Sequence, residues 1–113
     1  MTADDFRKMA LSLPGATEAS HMHHPDFRVG GKIFATLAYP RQGWGMVKLT
    51  PQQQEEFVQA ELDVFIPAAG AWGGRGATTV RLRMAKKATV RRALEVAWRN
   101  IAPRRLVRSF ESE

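Results

Sequence analysis

The chain has 113 residues, of which 44% are hydrophobic and 25% are charged, with no cysteine and a net charge of +6. This length and composition fit one globular domain and exclude a disordered chain, and the lack of cysteine excludes disulfides, thiolate metal sites and a cysteine nucleophile. No apolar run is long enough to cross a membrane and the start of the chain does not resemble a signal peptide, so the sequence predicts a cytoplasmic protein.

The positive charge is concentrated in the last third of the chain. Residues 1–70 contain six Lys or Arg and eight Asp or Glu, which gives −2, whereas residues 71–113 contain eleven and three, which gives +8. Arginine dominates the basic segment, and its planar fork of donors suits phosphate and carboxylate groups. The asymmetry therefore indicates either attraction to a polyanion or a solvated surface that keeps the protein soluble.

The N-terminal segment is typical of a helix from about Ala3 to Leu13, with Thr2 as its N-cap. Proline and glycine at positions 14 and 15 would end this helix. Its apolar side chains recur at helical spacing and form one stripe: Phe6, Met9, Ala10 and Leu13.

A series of β-type segments follows, which we predict to be strands at residues 18–23, 26–29, 32–39 and 43–49. The pair Gly30 and Gly31 separates two of them, and two glycines are typical of a tight hairpin because the centre of such a turn needs positive φ. In this register Phe27 faces Phe34, and Val29 faces the lysine at position 32.

The segment after residue 49 predicts a second helix, in which Thr50 is the N-cap and Gln53 completes a capping box. A glycine-rich loop, FIPAAGAWGGRGA, follows this helix. Residues 78–84 alternate as in a half-buried strand, with Val80, Leu82 and Met84 facing the core and Thr79, Arg81 and Arg83 facing outward.

The last helix is the clearest element of the sequence, and Pro103 ends it. Its apolar residues fall on one face at helical spacing: Val90, Ala93, Leu94, Ala97, Trp98 and Ile101. The predicted order is thus α-β-β-β-β-α-β-α. Tight turns between the strands imply an α+β fold of two layers, in which helices cover one face of an antiparallel sheet of about five strands. Residues 1–106 would form the domain, and residues 107–113 a flexible tail.

Three histidines, His21, His23 and His24, precede the glycine hairpin. His21 and His23 would share one face of a strand, but a stable zinc site needs three or four ligands. The sequence VGGK at residues 29–32 lacks the spacing of a phosphate loop and leads into a strand rather than a helix. We therefore predict no metal, no cofactor and no catalytic constellation, and hence a non-enzymatic protein.

The basic residues of the last third could form one surface that contacts phosphates. Such contacts give salt-dependent affinity without reading base sequence, and neither helix-turn-helix nor zinc-finger spacing is present. The predicted nucleic-acid-binding residues are Arg75, Arg81, Arg83, Lys86, Lys87, Arg91, Arg92 and Arg99.

Five collinear segments can be compared with known families: LPGATE (13–18), FRVGGKIFATL (27–37), VKLTPQQQEEF (47–57), the PxxGAWGxxG run (67–76) and AWRNIAPRRL (97–106). Together they resemble the MmcQ/YjbR family of small bacterial proteins, along nearly the whole length of the chain. The resemblance implies a compact α/β fold similar to that of type III secretion chaperones, and a DNA-binding protein with a double-wing shape. It brings no catalytic or metal-binding residues with it.

Three functions follow as hypotheses. The first is a binding protein that contacts double-stranded DNA through the basic C-terminal third. The second is a protein- or peptide-interaction module that uses an exposed sheet face or edge, for which we expect a large apolar surface patch. The third is a small-molecule site under the Trp72 loop, with Arg75 or Lys32 as the anion contact.

Overall fold

The computed structural model describes residues 1–112, which form one sheet and a layer of helices. The helices are α1 (Ala3–Leu11), α2 (Pro51–Ala60), α3 (Gly70–Gly74), α4 (Lys87–Ile101) and α5 (Arg104–Glu111). The strands are β1 (Thr17–His21), β2 (His24–Val29), β3 (Lys32–Leu37), β4 (Trp44–Lys48), β5 (Phe65–Pro67) and β6 (Ala77–Arg81).

The strands form a single antiparallel sheet in the order β1-β2-β3-β4-β6-β5. The first four strands follow one another as a meander, and β6 then pairs with β4, which leaves the short β5 at the far edge. The predicted α+β fold is confirmed. The sheet has six strands among residues 1–112, against about five predicted.

Helices α1, α2 and α4 cover one face of this sheet, and the main core lies between them and the strands. On that face the ring of Phe6 lies so close to Gly45 that a side chain at position 45 would collide with it. Trp98 of α4 is fully buried, and its indole N–H donates to the Pro14 carbonyl at 2.9 Å. Capping boxes at Thr2 and Thr50 begin α1 and α2, as predicted for Thr50.

We call the opposite side of the sheet the open face. Trp44, Met46 and Lys48 of β4 all project to it because alternate residues of a strand share a face. Their cross-strand partners on β6 are Arg81, Thr79 and Ala77, respectively. Part of this face is covered, since Met46 and Ala77 form a small buried cluster against which Tyr39 packs.

The hairpin at Gly30 and Gly31 forms as predicted, with φ of 60° and 80°, and Val29 pairs with Lys32. The predicted pairing of Phe27 with Phe34 is wrong, because the register shifts between residues 27 and 28 and Phe27 pairs with Ala35. A β-bulge of this kind adds one residue to one strand and displaces every later pair.

The segment before this hairpin also differs from the prediction. The expected strand at residues 18–23 ends at His21, and Met22 and His23 form a two-residue turn with φ of 47° and 68°. His23 therefore does not share a strand face with His21. Helix α1 ends at Leu11, two residues before the predicted end, and β3 ends at Leu37 rather than at residue 39.

The predicted strand at residues 78–84 ends at Arg81, and a short 3-10 turn follows over Leu82–Met84. Met84, which we expected in the core, is 47% exposed. Thr79, which we expected in solvent, is buried, because β5 extends the sheet beside it and its hydroxyl donates to the Ile66 carbonyl at 2.7 Å.

Two further corrections concern segments that lacked a predicted element. The glycine-rich loop contains β5 and α3. The C-terminal segment, predicted to be a flexible tail from residue 107, is helical through Glu111, with Pro103 as the N-cap of α5. Leu106, Val107 and Phe110 pack against the core, which anchors this helix. Residue 113 of the predicted tail lies outside the described residues.

Among residues 1–112, no helix combines the length and the apolar character that crossing a membrane requires.

Candidate nucleic-acid interface

The structure divides the predicted basic residues between the two sides of the molecule. Arg81 ends β6 on the open face, Arg83 follows it in the 3-10 turn, and Arg75 follows α3. The other predicted residues, Lys86, Lys87, Arg91, Arg92 and Arg99, lie at the start of α4 or along it. Because α4 packs on the opposite face, Arg91, Arg92 and Arg99 lie on the other side of the sheet from Arg81.

Two of the five predicted basic residues on the helical side have carboxylate partners, whereas Lys86, Arg91 and Arg92 form no salt bridge within residues 1–112. The ammonium of Lys87 lies 3.7 Å from the Asp5 carboxylate, and the guanidinium of Arg99 lies 3.5 Å from the Glu111 carboxylate. Arg92 stacks over the ring of Phe57 at 5.2 Å. A partnered cation contributes less to the attraction of an external anion than a free one does.

The basic residues of the open face gather around Trp44 instead. Its ring lies 5.0 Å from the guanidinium of Arg81, its cross-strand partner, and 5.6 Å from that of Arg41, which reaches in from the β3–β4 connection. Both contacts are cation–π interactions. A pocket of about 400 Å³ lies beside them, with Arg83 and Met84 on its other side.

A second aromatic group on this side of the molecule is centred on Trp72 of α3. The ammonium of Lys48 lies 5.9 Å from the centre of the Trp72 ring, and the Tyr39 ring lies 5.8 Å away. Trp72, Lys48 and Arg75 line a pocket of about 170 Å³. Lys32, the other predicted anion contact, does not line this pocket and lies at the start of β3.

A groove of about 360 Å³ continues from the Trp44 pocket towards Trp72. It shares Arg41, Trp44 and Arg81 with that pocket and reaches Tyr39, which contacts Trp72. We call the resulting line of side chains the aromatic–basic track, and its members are Arg83, Arg81, Arg41, Trp44, Tyr39, Trp72, Lys48 and Arg75. Within residues 1–112, none of its five cations forms a salt bridge.

A buried polar network lies beside the track. The carboxylate of Asp26 is fully buried and accepts hydrogen bonds from Arg28, at 2.8 and 3.1 Å. It also contacts Nδ1 of His21 at 2.8 Å. The guanidinium of Arg28, followed by the hydrogen bond to His21, lowers the pKa of Asp26 against the opposing effect of burial. The negative charge of Asp26 is therefore balanced by Arg28 and does not add a free negative charge to the open face.

Two of the three histidines make side-chain contacts within the described chain, His21 with Asp26 and His24 with Tyr39. His24 lies edge-on to Tyr39 with ring centres 5.6 Å apart, and its Nδ1 is buried without a hydrogen-bond partner in the described chain. Across residues 1–112, no three His, Asp or Glu side chains come together as a metal site would require.

Sequence reasoning missed four of the eight members of the track: Arg41, Trp44, Tyr39 and Lys48. The alternation of Trp44, Met46 and Lys48 on β4 was a visible signal that these residues share a face. Their proximity to Arg81 depends on the pairing of β4 with β6, which are separated by α2, β5 and α3 in the chain.

The YjbR family model matches residues 11–100. The chain belongs to the YjbR family. A crystal structure of the Deinococcus radiodurans protein DR2400, which carries a DUF419 domain, has a similar fold, with a TM-score of 0.71 and 21% sequence identity. The similarity covers 86% of this chain and 75% of that one. No curated protein matches the chain.

All eight members of the track lie inside the segment that matches the YjbR family, whereas helix α5 lies beyond it. The track therefore belongs to the YjbR domain itself. The arginines of α5 that add to the total charge, Arg104, Arg105 and Arg108, lie outside the matched residues.

Proposed function

We propose that this YjbR-family chain is a non-enzymatic nucleic-acid-binding protein and that the aromatic–basic track is its contact surface. The observation that carries the proposal is the grouping of five cations without carboxylate partners beside Trp44 and Trp72. Unpaired Lys and Arg bind phosphates and release condensed counterions, which supplies sequence-independent affinity.

The surroundings of the cations support this choice over the helical side. Asp26, which lies on the open face, is bonded to Arg28 and His21 and is fully buried. On the helical side, Lys87 and Arg99 lie close to Asp5 and Glu111, whereas Lys86, Arg91 and Arg92 form no salt bridge within residues 1–112. Uncompensated positive charge is therefore present on both sides, and the track differs in having tryptophan rings among its cations.

The alternative of a peptide-binding module called for a large apolar patch. The exposed large hydrophobic residues are Leu11, Met22, Leu62, Ile66, Trp72 and Met84. Three of them, Ile66, Trp72 and Met84, line pockets of the track to which arginines also contribute. This mixture of aromatic and cationic side chains favours a nucleic acid over an apolar peptide.

The test compares two double variants that change the net charge equally. Arg41→Glu with Arg83→Glu alters the track, and Arg91→Glu with Arg105→Glu alters exposed arginines of α4 and α5. Binding to a labelled DNA of about 15 nucleotides or base pairs is followed by fluorescence anisotropy at low salt, about 50 mM. We expect the track variant to lose at least about tenfold in affinity and the control variant less than about threefold.

Equal losses in the two variants would show that only the total charge matters, and a larger loss in the control would place the interface on the helical side. Absence of binding by the unaltered protein at low salt would remove the proposal altogether. Circular dichroism of both variants verifies that the fold is retained, which we expect because all four side chains are exposed.

A further inference from the structure

The preferred form of the nucleic acid can be inferred from the shape of the track, on the premise that the proposed function is correct. We propose that the track binds single strands in preference to duplexes, with an unstacked base against Trp72. Three observations point to a single strand: the size of the Trp72 pocket, the cations that line it, and the exposed part of the Trp72 ring.

The Trp72 pocket has the dimensions of a site for one flat ring. Its volume is about 170 Å³, and a cavity of about 150 Å³ in a protein accommodates one benzene ring. Trp72 is 39% exposed, so part of its indole is available for contact. Lys48 and Arg75 line the same pocket and can hold the phosphate that accompanies a base.

A base that stacks on Trp72 must be free of the base stack of a duplex. In a duplex the bases remain stacked inside the helix and present only their edges in the grooves. A base can reach the face of an aromatic side chain only when it is unpaired and turned outward, as in single strands.

One element that could enter a groove, the hairpin of β1 and β2, carries no free cation. It lies at the edge of the sheet, and its turn contains Met22 and His23. From Thr17 to Phe27 it has no Lys or Arg, and Glu18 is its exposed charge. Its following residue, Arg28, is bonded to Asp26. Groove insertion by this hairpin would therefore lack the phosphate contacts that position a protein on duplex DNA.

The test measures the affinity of the unaltered protein, Trp72→Ala and Trp72→Phe for one mixed-sequence oligonucleotide as a single strand and as a duplex. We expect the single strand to bind at least about fivefold more tightly. Trp72→Ala should lower single-strand affinity about 5- to 100-fold and change duplex affinity by less than about twofold, while Trp72→Phe retains most of the affinity. Leu62→Ala, at an exposed apolar residue outside the track, is the matched control.

A duplex that binds as tightly as the single strand, or a Trp72→Ala variant that binds the single strand normally, would overturn this inference and leave the proposed function intact. Failure to bind either form would instead overturn the proposed function. An RNA copy of the single strand serves as a further arm. A stacking contact involves the base and not the sugar, so we expect Trp72→Ala to lower the affinity for RNA and for DNA by similar factors. A loss confined to one of them would contradict a stacking contact.

Discussion

The guanidinium of Arg28 donates two hydrogen bonds to the carboxylate of Asp26, at 2.8 and 3.1 Å, although the two residues are only two positions apart on β2. The β-bulge between Phe27 and Arg28 lies within this short segment. The same carboxylate holds His21 of β1, so one buried charge connects two strands and supports the edge of the sheet.

This pairing predicts a defined loss of stability in acid. The pKa of Asp26 lies below the ordinary 3.8, chiefly because Arg28 stabilises the charged form. A carboxyl with a lowered pKa in the folded state contributes stability above its unfolded pKa and loses it as the pH falls through the folded value. We expect the free energy of unfolding, measured in urea, to drop below about pH 4. Asp26→Asn should flatten this part of the curve.

At neutral pH we expect Asp26→Asn to lower the free energy of unfolding by about 1.5–3 kcal/mol, since it weakens charged hydrogen bonds to a buried group. The control is Asp4→Asn, because the Asp4 side chain is 77% exposed although it also pairs with an arginine. Its effect should stay within about 0.5 kcal/mol. Similar losses in the two variants would mean that burial of Asp26 does not matter.

Two buried threonines of the sheet, Thr36 and Thr79, should respond oppositely when each is replaced by valine, one variant gaining stability and the other losing it. The Thr36 hydroxyl has no hydrogen-bond partner in the described chain, whereas that of Thr79 donates to the Ile66 carbonyl at 2.7 Å. Replacing an unpaired buried hydroxyl with a methyl group removes a desolvation penalty, so Thr36→Val should stabilise the fold by about 1 kcal/mol. Thr79→Val should destabilise it by about 0.5–1.5 kcal/mol. Chemical denaturation measures both, and a loss of stability in Thr36→Val would reveal an unseen partner.

Neighbouring glycines of α3 offer a matched pair. A Cβ at Gly73 would collide with the Ala68 carbonyl oxygen, whereas nothing lies within 4 Å of a Cβ at Gly74. Gly73→Ala should therefore cost about 1–3 kcal/mol or displace α3, which carries Trp72. Gly74→Ala should be neutral or stabilise by up to about 1 kcal/mol, since it reduces the entropy of the unfolded chain. Thermal denaturation distinguishes them, and equal melting temperatures would contradict the close approach at Gly73.

The packing of α5 can be tested at Phe110, whose ring lies 5.2 Å from that of the buried Trp98. Phe110→Ala removes a partly buried aromatic ring and should lower the free energy of unfolding by about 1–2 kcal/mol. It should also change the fluorescence of Trp98. Ser109→Ala, at the exposed neighbouring position, should leave both unchanged. An unaffected Phe110→Ala variant would indicate that α5 does not pack in solution.

The sequence predicted correctly those features of the fold that depend only on adjacent residues. The glycine turn at Gly30 and Gly31, and the capping box at Thr50, were predictable because each depends on a few adjacent residues. The turn at Met22 and His23 has the same positive φ without glycine, so composition gave no signal for it. The bulge at Phe27 likewise has no signature in the residues themselves.

The two missed helices have different causes. Proline predicts the end of a helix, and α4 does end before Pro103. The same residue is also the N-cap of α5, whose apolar residues Leu106 and Phe110 repeat at helical spacing. Helix α3 consists largely of glycine, which has a low helix propensity, and it forms because tertiary contacts hold it, such as the bond from Gln54 to the Gly73 carbonyl.

The candidate site was the least predictable part, because proximity in the sequence does not show which cations share a surface. Arg91 and Arg92 are close to Arg83 along the chain but lie on the helical side. Arg41 and Lys48 come from the segment of negative net charge, and strand pairing brings them to Arg81 and Trp72. The order of strands in the sheet determines which charged residues share a surface, and no local sequence pattern predicts that order.

Strands β4 and β6 are internal strands of the sheet, hydrogen-bonded on both sides, and they supply Trp44, Lys48 and Arg81. Backbone amides in such positions exchange with solvent only through the largest opening of a domain, whereas terminal helices and edge strands open far more often. Fraying of β1 or α5 would therefore leave Trp44 and Arg81 in register. On heating, Trp44 and Arg81 should therefore stay in contact until the whole domain unfolds.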